Sequence, residues 1–195
     1  MNNPLINSRT KVLALMILSA GAWRLLISSG HSPFSNFTPV GAMALFGGNY
    51  FSDKWKAYLF PLFTLWLSDV LLSYFVYFHE CRLFYGGFLW TYSSFAFMVL
   101  IGSRIQKASA KNIVMAGIAA ALIHWIISDF GVWMGGRLYP KTWEGLLTCY
   151  IAAIPYMKNM LIGNLVFGGI MFWIFESAQR KFPSLQLTQP LHANS

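Results

Sequence analysis

The sequence predicts an all-α polytopic membrane protein, a bundle of six transmembrane helices. Three observations predict it. Of the 195 residues, 56% are hydrophobic and 10% charged, against about 25% charge in soluble domains. The apolar residues fall into long runs separated by polar gaps, and a membrane crossing needs about 20 such residues. The basic residues behind the net charge of +8 sit in those gaps, a pattern that fits membrane orientation and anionic lipid headgroups and leaves no case for nucleic acid.

Six apolar segments are drawn at 12–30, 38–51, 57–78, 84–103, 112–130 and 159–175, within one membrane domain covering 1–195. The first follows Arg9 and Lys11 and lacks a small-residue cleavage site, so it reads as a retained helix. The second is only about 21 Å long and is a candidate for re-entry. Its Gly41, Ala44 and Gly48 share one helical face, which suits close packing against a neighbour. The third, fourth and fifth are long enough to span, and the sixth is near the lower limit. The gap at 131–156 is too long for a turn and reads as a short interfacial helix roofing a cavity, with Thr142 as its cap. The polar tail at 183–195 is expected to be disordered.

Charge orients the bundle. With all six segments crossing and the N-terminus inside, nine Lys and Arg lie inside and five outside. If the second segment does not cross, the best split is eight to six. The positive-inside bias therefore favours six spans in a bacterial inner membrane, with both termini cytoplasmic.

Two carboxylates fall inside these segments, Asp69 in Trp66-Leu-Ser-Asp69 and Asp129 in Trp125-Ile-Ile-Ser-Asp129. An ionised carboxylate in hydrocarbon costs roughly 3 kcal/mol on insertion scales, so both should face the bundle interior or a wet cavity. Each is either a ligand contact or one half of an interhelical pair.

The gap Tyr77-Phe-His-Glu-Cys-Arg-Leu-Phe84 holds Cys81 between His79 and Arg82. Those neighbours would favour the thiolate, the form that binds metal. The bland alternatives are an inert loop residue or a disulfide to Cys149, which the topology also places outside. One thiolate cannot build a zinc site, but it can complete a metal whose equatorial positions a macrocycle already fills. Such a flat, amphipathic ligand wants aromatic walls. The chain offers Tyr77, Phe78, Phe84, Tyr85 and Trp90 nearby, with Phe34, Phe37, Trp133 and Tyr139 elsewhere on the outer side. Aromatic belts also mark any membrane interface. His31 and His79 lie at the outer boundary, and His124 is mid-span. No phosphate loop, G-x-S-x-G or H-E-x-x-H motif occurs.

Four stretches carry a resemblance: Asn36-Phe-Thr-Pro-Val-Gly-Ala-Met-Ala-Leu-Phe-Gly-Gly48, Leu67-Ser-Asp69, Asp129-Phe-Gly-Val-Trp133 and Ala152-Ala-Ile-Pro-Tyr-Met-Lys-Asn159. Over roughly residues 10–178 the chain resembles the substrate-binding S-components of energy-coupling-factor vitamin transporters. With a cysteine after the third span, it looks most like the solitary vitamin B12 uptake proteins of the BtuM type. The resemblance implies a six-helix bundle of the S-component type with a pocket open to the outside. Cobalamin would bind there as cargo, with Cys81 as axial cobalt ligand in place of the benzimidazole. Cys81 would also promote loss of cyanide from cyanocobalamin. Asn36, Asp69, His79, Tyr85, Asp129, Trp133 and Lys158 are the expected polar and aromatic pocket contacts. An ATPase energy-coupling module is the further partner that such a resemblance brings. S-components that share one present A-x-x-x-A on the first helix, where this chain reads Ala14-Leu-Met-Ile-Leu18 and Ser19-Ala-Gly-Ala22. Two other classes compete with uptake: a membrane enzyme using Cys81 as nucleophile, and a structural subunit of a larger membrane complex.

Overall fold

The computed structural model describes residues 7–27 and 35–186. Six α-helices account for most of them: α1 (Ser8–Ile27), α2 (Val40–Tyr50), α3 (Lys54–Leu72), α4 (Phe88–Ser103), α5 (Ala110–Gly135) and α6 (Trp143–Lys181). No strand forms among the described residues. Helix α3 runs on into a π-helical turn at Ser73–Tyr77. A 3-10 turn, Pro183–Leu185, follows α6. Each expected segment holds a helix. Among the described residues three helices are long and apolar enough to cross a membrane: Lys54–Tyr77, Ala110–Gly135 and Trp143–Lys181.

The shortest helix is the centre of the fold. Ten of the eleven residues of α2 are buried, and it touches all five other helices. Its composition explains this. Ala, Gly and Met carry no charge and let neighbours approach closely. A Cβ on Gly48 would lie 2.1 Å from the Val99 carbonyl oxygen, and one on Gly102 would lie 2.2 Å from that of Leu45. The α2 and α4 backbones therefore cross in direct contact. Gly41 instead abuts Asn164 of α6. The small residues of α2 thus serve two neighbours, where the sequence suggested one face and one neighbour. Phe46 and Tyr50 pack with Phe172 and Phe175 of α6, ring centroids 4.6–5.6 Å apart.

Helices α5 and α6 form an antiparallel hairpin. Trp125 Nε1 donates to the Tyr150 carbonyl at 3.1 Å, Tyr150 Oη to the Ile126 carbonyl at 2.9 Å, and Asn164 Nδ2 to the Gly117 carbonyl at 3.3 Å. Asn164 is buried, and its Oδ1 has no partner among the described residues. The separate roof helix expected in 131–156 does not exist. Instead α5 continues to Gly135, and α6 runs unbroken for 39 residues from Trp143. That is about 58 Å, far beyond the ~30 Å hydrocarbon core. Thr142 does cap it, accepting from Gly145 N at 3.2 Å. Pro155 sits inside α6 and is exposed together with Ile151, whose carbonyl it leaves unpaired in the helix ladder. The helix nonetheless runs on through Pro155. Conversely, the 84–103 segment starts later, at Phe88, because Gly87 at φ 85° turns the chain there.

The end of the bundle where α1 begins and α6 finishes is locked by a buried cation. Arg9 donates to Gln179 Oε1 at 2.7 Å, to the Tyr50 carbonyl at 2.9 Å and to the Leu185 carbonyl. Tyr50 Oη donates to Glu176 at 2.6 Å. The start of the expected disordered tail is therefore docked, with Leu185 buried. Residues 187–195 lie outside those described.

Candidate functional site

Helix α3 ends in a wide turn in which Phe78 N reaches back to the Ser73 carbonyl at 3.0 Å. Single π-turns of this kind recur at functional sites. His79 follows at φ 55°, a left-handed conformation that redirects the chain. The loop so launched carries Cys81. Ser73 Oγ holds the Glu80 carbonyl at 3.3 Å, and Trp66 Nε1 holds the Leu83 carbonyl at 3.1 Å. Cys81 thus stands between two tethers on an exposed, positioned loop. It is a free thiol.

Arg82 does not stand ready beside the sulfur. Its guanidinium pairs with Glu80 Oε2 at 2.9 Å and lies over the Phe78 ring at 4.1 Å. The expected electrostatic help from Arg82 is therefore largely neutralised by Glu80. His79 is exposed, and no hydrogen bond links it to Cys81 among the described residues. The aromatic rim is present: Tyr77, Phe78, Phe84 and Tyr85 are all exposed.

Beside this loop lies a cleft of about 370 Å³. Its walls are Tyr85, Gly86, Gly87 and Thr91 at the start of α4, and Ser128, Gly131, Val132 and Gly135 at the end of α5. Glycines make the cleft. A Cβ on Gly131 would meet Trp90 at 2.3 Å, so that glycine fixes how closely the two helices approach. The volume is at the lower end of the usual ligand range, about 300–1,000 Å³. It admits an edge or side arm of a large ligand. Tyr85 is 37% exposed, and the partial desolvation of its phenol, with the nearby Asp69 charge, pushes its pKa above the ordinary value; like any phenol at neutral pH it is protonated and can donate.

Asp69 is fully committed within the protein. Arg24 of α1 pairs with its Oδ1 at 2.7 Å, and Tyr92 of α4 donates to its Oδ2 at 2.9 Å. Arg24 also donates to Ser68 Oγ at 2.5 Å. Three helices meet on one carboxylate. Of the two roles expected for Asp69, the interhelical pair is the one seen.

The remaining expected contacts scatter. Asn36 is exposed at φ 68° in the turn before α2, where Thr38 N bonds its carbonyl at 2.9 Å. Trp133 fastens the turn after α5, donating from Nε1 to the Pro140 carbonyl at 2.9 Å, while Lys141 bonds the Trp133 and Gly136 carbonyls. Asp129 is half-buried, and its carboxylate has no hydrogen-bond or ion-pair partner among the described residues; its backbone carbonyl receives Cys149 Sγ at 3.4 Å. Lys158 is exposed midway along α6. His31 and Phe34 lie outside the described residues. Among the predicted contacts, only Tyr85 lines the cleft. Sequence reasoning does not reach the glycine walls, although the Gly86-Gly87 pair is their signal, nor the Ser73 and Trp66 tethers, which no sequence pattern marks.

Cys149 is also a free thiol, buried in the α5–α6 seam. The disulfide alternative is not realised. Among the described residues no group of three or more His, Cys, Asp or Glu could hold a metal ion, so a metal centre built from such side chains alone is not present there.

No curated protein and no solved structure matches the chain. Residues 4–185 match a family described as a family of unknown function, DUF6580. That match covers nearly the whole chain, which therefore belongs to this family.

Proposed function

We propose that this protein binds cobalamin at the outer face of a bacterial inner membrane and takes part in its uptake. The observation that carries the reading is the free, exposed Cys81 on a loop tied at Glu80 and Leu83, next to an aromatic rim and a glycine-walled cleft. A corrin ring supplies four equatorial nitrogens, so a single axial sulfur is sufficient. Its flat faces suit Tyr77, Phe78 and Phe84, and its amide arms suit a protonated Tyr85. The cleft would take one edge of the cargo.

In this reading all six helices cross, with both termini cytoplasmic, as the charge distribution favours. The short α2 crosses only within the shelter of its neighbours. Asp69, with Arg24 and Tyr92, holds the wall behind the site and does not touch cargo. Thiolate is a strong donor and weakens the bond to the group on the opposite cobalt face. The Co–S bond forms as the Co–benzimidazole bond breaks, the thiol proton leaves with cyanide as HCN, and water replaces the cyanide, with cobalt remaining Co(III) throughout, so the step is ligand exchange without redox change. A nucleophilic-enzyme reading has less support, since a catalytic thiol wants a base within hydrogen-bond reach.

The test is the colour of the protein purified from cells supplied with cobalamin. Wild type should carry a corrinoid absorbance that Cys81→Ala loses at equal yield. A colourless wild type under saturating vitamin removes the proposal.

A further inference from the structure

At the opposite end of the bundle a second cavity, about 330 Å³, runs along the α5–α6 seam. Its walls are apolar: Ala110, Ile113 and Val114 of α5 face Leu165, Phe172 and Trp173 of α6. Gly169 lines it too, and a Cβ there would meet nothing within 4 Å. From Leu165 to Arg180 the groove follows sixteen residues of helix, about 22 Å. That length suits an extended acyl chain.

The mouth is cationic. Arg180 lines it, and Lys107, Lys111 and Lys181 flank its lining residues in sequence. All four are exposed, and none forms an ion pair among the described residues. The acid in the lining, Glu176, is already engaged by Tyr50 Oη at 2.6 Å and Gln179 Nε2 at 3.5 Å. Unpaired surface cations at a membrane interface attract anionic lipid at about 1 kcal/mol each. Trp173, 71% exposed, forms part of the wall.

We infer that this groove is a binding site for an anionic phospholipid, with one acyl chain along the α5–α6 seam and the phosphate among Arg180, Lys107 and Lys111. It rests on the membrane placement alone and is independent of cobalamin.

The test uses the full-length protein in nonionic detergent, without corrinoid. Phosphatidylglycerol with brominated acyl chains is titrated in, and tryptophan fluorescence is read. Wild type should show a quenched component that Trp173→Phe lacks. Brominated phosphatidylcholine should need a higher concentration for the same quenching. In the Lys111→Gln, Arg180→Gln double variant, phosphatidylglycerol affinity should fall about 30-fold, the equivalent of two surface cations. Gly169→Leu, which fills open space, should abolish the Trp173 component for both lipids. The double variant alters only exposed side chains, so the test survives if Gly169→Leu fails to fold. Equal affinity for the two lipids in wild type overturns the inference. So does quenching that Gly169→Leu leaves intact, or displacement of the lipid by inorganic phosphate at matching concentration.

Discussion

Asp69 illustrates how a carboxylate survives among apolar helices. Arg24 and Tyr92 satisfy both of its oxygens, and the two charged side chains are only 17% and 12% exposed for Arg24 and Asp69. Removing one member leaves the other charge buried and alone, which costs far more than the pair contributes. Arg24→Leu should therefore lower stability by about 3 kcal/mol. Arg24→Leu with Asp69→Leu should recover much of that loss, as read from unfolding in detergent. The two cysteines differ as sharply. A membrane-impermeant maleimide added to intact spheroplasts should label Cys81 and spare Cys149, since one is exposed and the other is buried in the α5–α6 seam. The sequence pointed to both carboxylates, because charge is rare in apolar runs, and to both thiols, because the chain has only two cysteines. It did not show which partner each would find. Arg24 meets Asp69 across a separation of 45 positions in the chain, and only packing decides such a contact.

At the scale of elements, the sequence located the six helices but misjudged their ends and set apart a roof helix that is the first part of α6. Apolar runs mark where a helix is buried in lipid or protein, and helices do not stop where apolarity stops. Helix α6 begins sixteen residues before the expected segment because Thr142 caps it and Pro155 faces outward. A proline on the outer face of a helix and a proline in a loop look alike in sequence. The central position of α2 was only half legible. Its glycines announced close packing, but not that α4 would take Gly48 while α6 took Gly41. At the α2–α4 crossing a side chain has nowhere to go. Gly102→Val would drive a Cβ to about 2.2 Å from the Leu45 carbonyl oxygen and force the helices apart. Overpacking of this kind costs about 1–3 kcal/mol or more. The variant should lose most of its folded yield on size-exclusion chromatography, whereas Gly169→Ala, which enters open space, should not.

The whole molecule is a bundle with two dissimilar ends. One end gathers the start of α1 and the end of α6 around Arg9, with a groove whose mouth is cationic. The other carries the tethered cysteine loop and the glycine-walled cleft. In the proposed orientation, which rests on charge bias, the first end faces the cytoplasm. A reporter fused after Lys181 should accordingly be active as a cytoplasmic fluorescent protein and inactive as a periplasmic phosphatase. The central claim is that the second end presents sulfur to the cobalt of a corrinoid. Cobalt K-edge X-ray absorption on the cobalamin-loaded protein tests it most directly. One sulfur should appear in the cobalt coordination shell of the wild type and vanish in Cys81→Ser. A wild-type shell made only of nitrogen, carbon and oxygen would contradict it.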